Sequence, residues 1–265
     1  MQLLLFILTL LTTLIAGALQ QGVDLLHSPL SIWRGIPFSF TLLIILGAHE
    51  FGHYFMSRRH GADVTLPYFI PAPSFIGTFG AFIKIRSRIL DRRMLLDVGA
   101  AGPVAGLIVA VPVVLVGLAL SEVRMGAQGS PLGGSLLFSL LSWVVFGSLP
   151  PEADIVLHPI AFSGWIGLLV TSLNLLPVGQ LDGGHVAYAV WGTKQRILAR
   201  AVFVLVVILG FTAWSGWLLW ALVLYLMGLD HPPAVYDWIP LDEGRKTVGR
   251  AVMVIFVLTF TPAPF

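Results

Sequence analysis

The 265-residue sequence contains no cysteine and little charge: only 11% of its residues are Asp, Glu, Lys or Arg. Without thiols there is no disulfide framework, and any metal must be held by histidine and carboxylate. Soluble domains are usually about 25% charged, so a chain that is 57% apolar cannot cover an aqueous surface. No run of basic residues interleaved with aromatics is present, which argues against a nucleic-acid partner. Internal repeats and low-complexity tracts are also missing. What remains is a polytopic helical membrane protein, with the lipid bilayer as its main surroundings.

About 20 apolar residues cross a bilayer as a helix. Spans are expected at 3–19, 36–58, 97–120 and 158–177, and a last one at 247–262. The apolar stretch 197–229 is too long for one ordinary span, and Thr212–Trp217 can turn it into a hairpin. The stretch 135–149 is short, ends at Pro150-Pro151, and reads as re-entrant or interfacial. The first span lacks a basic leader, which favours an uncleaved helix over a signal peptide. The expected fold is all-α, with about six to seven transmembrane helices and a re-entrant or β-hairpin segment after the second span. The chain reads as a single domain over 1–265, with a core at about 36–192 and accessory helices in 1–35 and 193–265. Of the 15 Lys and Arg, alternation of these spans puts all but Arg34 and Arg124 on one face. The positive-inside rule makes that face, and the N-terminus, cytoplasmic.

His49-Glu50-Phe51-Gly52-His53 is an H-E-x-x-H pattern inside an apolar helix. Residues four apart share a helix face, so both imidazoles can bind one metal. Glu50 is then placed as general base toward a water that the metal makes acidic. In a soluble helix this pattern often means two solvated histidines. In lipid, three ionisable groups are costly unless used or paired. His49 lies about 14 Å from Arg58 along the helix, at 1.5 Å per residue, hence within the membrane but toward the cytoplasmic side.

A catalytic zinc needs a third protein ligand and an open position. Asp182, in Leu181-Asp182-Gly183-Gly184-His185, is the candidate: the topology puts it at the cytoplasmic end of the fourth span, with Pro177 breaking the helix and the two glycines letting the backbone bend. The competing reading is a helix N-cap. Asn174 is either a helix–helix hydrogen-bonding group or a group that assists the substrate or stabilises an oxyanion. His185 is open between a supporting group and an interfacial residue. Residues 76–86 alternate, with Phe79, Ala81, Ile83 and Ile85 opposing Thr78, Gly80, Phe82, Lys84 and Arg86. This is a strand pattern, either an edge strand that captures an unwound substrate or a surface hairpin. The eight tryptophans mostly sit near predicted span ends, as interfacial anchors do, and the histidines at 27, 60, 158 and 231, in loops or at span ends, are assigned no role at a metal.

Together the two motifs resemble the site-2 protease family of intramembrane zinc metalloproteases. The resemblance extends to Gly77-Thr78-Phe79-Gly80-Ala81-Phe82-Ile83, to Gly99-Ala100-Ala101-Gly102-Pro103-Val104-Ala105-Gly106, and to His231-Pro232-Pro233 with Asp237, Leu241 and Asp242, which look like the late loop of members related to the chloroplast forms. It implies one Zn²⁺ on His49, His53 and Asp182, with Glu50 activating water and Asn174 assisting. It also implies a substrate that is a single-span transmembrane protein, contacted by Gly77, Thr78, Phe79, Gly80 and Ala81. The PDZ domain of many members has no counterpart in these residues. The rival readings are weaker. A serine type lacks a G-x-S-x-G pattern around Ser163, and a di-aspartyl type has only Asp182 well placed. A metal transporter has no need of Glu50 beside a ligand.

Overall fold

The computed structural model describes residues 1–126, 132–150 and 152–265. It is predominantly helical. Helix α1 (Gln2–Gln20) leads through a 3₁₀ turn (Pro29–Gly35) into α2 (Ile36–Arg59). An antiparallel hairpin of β1 (Tyr68–Pro71) and β2 (Thr78–Phe82) follows, then α3 (Arg92–Ala119). A second small antiparallel sheet joins β3 (Glu122–Met125) to β4 (Ala153–Val156), with α4 (Leu136–Phe146) between them. The chain continues through α5 (Pro159–Asn174), α6 (Asp182–Trp191), α7 (Gln195–Thr212), α8 (Gly216–Met227) and α9 (Glu243–Thr259).

Four stretches of the described residues are long and apolar enough to cross a membrane: α1, the turn plus α2, α3, and the run of α6 and α7 from Asp182 to Thr212. Helices α5 and α8, at 16 and 12 residues, are shorter. The expected hairpin over 197–229 is present, turning between Thr212 and Gly216. The stretch read as re-entrant or interfacial holds the 11-residue α4, about half a bilayer in length. Its expected stop at Pro150-Pro151 includes Pro151, which lies outside the described residues, as do residues 127–131. The β3–β4 pairing was not anticipated, because strands of four residues leave too short an alternation to read.

Helices α2, α3 and α5 form the centre. Phe38, Leu42 and Leu46 of α2 pack against Trp165 and Ile166 of α5. Leu95 and Leu96 of α3 pack with Val186 and Tyr188 of α6 and Val252 of α9. Helices α2 and α3 approach closely at Gly52, where a Cβ would lie 2.5 Å from the Ala101 carbonyl oxygen. Local signals set the helix starts. Asp91 accepts the Met94 N–H at 2.8 Å, and His158 accepts the Ile160 N–H, with Pro159 at the first position of α5.

The basic groups gather at one end of the bundle. Arg245 at the start of α9 and His60 after α2 both reach Asp97 of α3, at 2.7 and 2.9 Å. Arg92 at the start of α3 holds Asp237 at 3.1 Å, and Arg196 and Arg200 flank Asp230. Arg34 precedes α2 and Arg124 follows α3, at the opposite helix ends. Two tryptophans depart from the interfacial pattern. Trp165 and Trp217 are fully buried, their indole N–H groups donating to the Gly133 and Pro262 carbonyls.

Candidate metal centre

His49 and His53 sit on the face of α2 turned toward α3 and α6. His49, Glu50 and His53 are all buried. Three potential ligand atoms converge. His49 Nε2 and His53 Nε2 lie 3.1 Å apart, and Asp182 Oδ2 is 3.2 Å from each. Metal–ligand bonds of about 2.1 Å in a tetrahedral site put ligand atoms about 3.4 Å apart. The triangle therefore matches one face of such a site.

The hydrogen bonding favours a cation there. His53 Nδ1 donates to the Val98 carbonyl at 2.8 Å. In the neutral ring this leaves a lone pair on Nε2, facing a second imidazole nitrogen and a carboxylate oxygen. A proton on His49 Nε2 satisfies only one of the other two atoms, whereas a cation at the centre satisfies all three. The donor set, two imidazoles and a carboxylate, suits zinc.

Glycines on α3 make the space. A Cβ at Gly102 would lie 2.1 Å from His53 Nε2, so only hydrogen fits beside the ligating atom. At Gly106 a Cβ would come within 3.2 Å of His49 Cβ. Gly99, Gly102 and Gly106 lie at helical spacing, where small residues permit close helix packing. They also clear the room in which the imidazoles stand. The signal was present, since glycines at helical spacing name the face, but the residue they face comes from tertiary structure.

Asp182 occupies a different place from the one expected. The fourth span does not run on to the face. Helix α5 stops at Asn174, and Asp182 opens α6, which carries the chain on for ten residues. Along three helices the distances from the site toward the basic end are similar: His49 to Arg58, Gly102 to Arg92 and Asp182 to Trp191 are about 14 to 15 Å at 1.5 Å per residue. The reason is the tight packing of the intervening loop. A Cβ at Gly183 would lie 1.9 Å from the Leu175 carbonyl oxygen, and one at Gly184 would lie 2.3 Å from that of Gly179. Both glycines have ordinary negative φ. They serve close approach and not the bending expected of them. The N-cap alternative is not realised either: Leu181 occupies the cap position of α6, and no side chain caps that end.

Asn174, the last residue of α5, brings its side-chain amide to 3.3 Å from His49 Nε2. Glu50 is buried next to His49, with the Ile83 backbone amide, just past β2, near its carboxylate. His185 stands one turn below Asp182 and hydrogen-bonds His231 at 2.7 Å. His27, His60 and His158 are engaged by Asp24, by Asp97 and by the start of α5.

Of the segment Gly77, Thr78, Phe79, Gly80 and Ala81, the structure makes all but Gly77 part of β2, which pairs on one side with β1. The alternation holds from Ala81 onward, with Ala81, Ile83 and Ile85 more covered than Phe82, Lys84 and Arg86. It breaks at Gly80, whose φ of +98° reverses the side-chain order. Thr78 is consequently buried, with Oγ1 donating to the Ile70 carbonyl, while Phe79 is 74% exposed. Among the described residues no third strand pairs with β2.

No solved structure matches the chain. Among curated proteins it is similar to two from Arabidopsis thaliana. One is the probable chloroplastic zinc metalloprotease EGY1, 32% identical over 237 residues, covering 86% of this chain and 43% of that protein. The other is the probable chloroplastic zinc metalloprotease EGY2, 29% identical over 239 residues, covering 87% and 42%. The chain thus spans about two fifths of the length of these relatives. The family model for peptidase family M50 matches residues 37–214, which contain α2, the β1–β2 hairpin and the α5–α6 break with every potential ligand. The chain belongs to peptidase family M50.

Proposed function

We propose that this chain is an intramembrane zinc endopeptidase that cleaves transmembrane segments of single-span membrane proteins. One observation carries the reading: two imidazole nitrogens and a carboxylate oxygen lie within 3.2 Å of one another, about 14 Å inside the basic face, with a buried carboxylate at Glu50 alongside. That the relatives are probable zinc metalloproteases supports both the zinc and the proteolysis.

In this reading His49, His53 and Asp182 hold one Zn²⁺. When bound, the ion supplies Lewis acidity and brings the pKa of a water to about 7. Glu50 takes the proton from the attacking water and returns it to the leaving amine. The Asn174 amide, beside His49, donates to the scissile carbonyl oxygen as charge develops there. The edge of β2 left free by β1 binds the substrate as an added strand, using Gly77, Thr78, Phe79, Gly80 and Ala81. A helical substrate hides its peptide bonds, so it must unwind before cleavage, and a strand partner stabilises the unwound form. Because Ile83 follows β2 and meets Glu50, a peptide on β2 is delivered to the base. The proposed setting is a multi-pass protein of a prokaryotic cell membrane, with the N-terminus and the site toward the cytoplasm, as the basic end suggests. Residues 1–265 act as one protease domain.

The test is cleavage of a single-span reporter by wild type and Glu50→Gln, with metal analysis of both. Loss of a general base costs about 10²- to 10⁴-fold, so cleavage should fall by that much with zinc retained. Zinc flux surviving the substitution, with no cleavage by wild type, would favour transport instead.

A further inference from the structure

Asp182 is the ligand with the least local support. It opens a helix of ten residues whose first turn has no side-chain cap, and a seven-residue loop precedes it. Something else must hold its carboxylate at the imidazoles. Asp182, His185 and Tyr188 are three residues apart in turn, so they form one stripe along α6. The segment after α8 engages the rest of that stripe. His185 Nδ1 lies 2.7 Å from His231 Nε2, and the His231 ring stacks on Tyr188 at 4.6 Å.

The direction of that hydrogen bond follows from its far end. The Pro232 carbonyl can only accept, so His231 Nδ1–H donates to it. Neutral His231 then has only an acceptor at Nε2, and His185 Nδ1–H must be the donor. The series ends on a carbonyl, which takes no proton onward. It is a fixed tie and not a proton path. The same segment also grips the other side of Asp182. The Gly179 N–H donates to the Leu229 carbonyl at 2.9 Å, and a Cβ at Gly179 would lie 2.3 Å from the Gly228 oxygen. Below, Arg92 lies 5.7 Å from the Tyr188 ring centroid and reaches Asp237 through Nε and Nη2.

We propose that the 228–237 segment is a clamp for the carboxylate ligand, with His231 a positioning residue that acts through His185 to set Asp182. This rests on the metal centre proposed above. The clamp explains why a loop outside the matched family region carries a buried histidine.

The test uses the full chain in detergent, loaded with Co²⁺ or Zn²⁺. It reads metal dissociation by competition with a chromophoric chelator, and the visible spectrum of the Co²⁺ form. His231→Leu removes the acceptor, whereas His231→Gln keeps one at a similar reach. Loss of a partner bonded directly to a ligand weakens metal binding about 10- to 100-fold, and His231 acts one residue further out, so the low end of that range applies. H231L should weaken metal retention about 10-fold with an altered Co²⁺ spectrum, and H231Q should stay within about twofold of wild type. Equal retention by H231L and wild type, or H231Q as weak as H231L, would overturn the clamp while leaving the metal centre standing. If H231L does not fold, His185→Asn and His185→Leu carry the same contrast from the helix side, and equal retention by that pair overturns it. A wild-type chain that holds no metal overturns the metal centre and the clamp together.

Discussion

The two halves of the candidate site are built in opposite ways. His49, Glu50 and His53 come from consecutive turns of an unbroken 24-residue helix, so their alignment is a property of the helix itself. Asp182 comes from a break: α5 ends, the chain loops, and α6 begins beside the imidazoles. Its place depends on glycine contacts, on α3 and on the loop after α8. A ligand pair fixed by secondary structure survives small tertiary shifts. A ligand fixed by tertiary packing reports them.

Substitutions on each half sharpen this contrast. The largest effect is expected at Gly102. Alanine is a better helix former than glycine, so α3 should persist, but the new Cβ falls at the ligating nitrogen of His53. Metal content should drop to background by elemental analysis, with helical circular dichroism unchanged. On the other half, Asn174→Ala should lower kcat about 10²-fold or more, the cost of losing one oxyanion donor, with zinc content kept. Gly183→Ala pushes against the Leu175 carbonyl. It should destabilise by about 1–3 kcal/mol, as overpacking does, and weaken metal retention in the same variant. A matching metal loss without the stability loss would show that the break is softer than its contacts imply.

The smallest effect concerns the tie at the basic end. The Arg92 guanidinium hydrogen-bonded to Asp237 holds that carboxyl below the usual range, against a desolvation that would raise it. A depressed folded pKa contributes stability above the unfolded value, near 4, and that stability is lost as pH falls through the folded value. Asp237→Asn should therefore cost under about 1 kcal/mol at neutral pH, as partly exposed pairs do. It should also flatten the thermal-stability profile below about pH 4. An unchanged profile would mean that the pair holds position without adding stability.

How much of this was legible depends on what each feature needs. The H-E-x-x-H helix, the hairpin at 212–216 and the gathering of basic residues rest on spacing and charge, which a sequence displays directly. Asp182 was legible as a ligand but not as the head of a half-helix, because Pro177 marks a break without saying how far the chain descends afterwards. The Gly80 irregularity was hidden for a similar reason. Alternation reads as a regular strand, and only a positive φ reveals that Phe79 has changed sides. Trp165 and Trp217 were misplaced because an indole near a span end serves equally as an anchor or, with a carbonyl partner, as core. His231 stood out only as part of a resemblance in the late loop, and its pairing with His185 was hidden, since that partner lies 46 residues away.

The break between α5 and α6 has an electrostatic consequence. A continuous transmembrane helix keeps its partial charges at the two membrane surfaces, each about half an elementary charge. Cutting it at Asn174 and restarting it at Asp182 moves one end of each dipole into the interior. The negative carbonyl end of α5 and the positive amide end of α6 then flank the imidazoles. The first favours a cation and the second an ionised carboxylate, in surroundings that hold little water. A straight helix with the same side chains would leave both charges to find their stabilisation from the ligands alone.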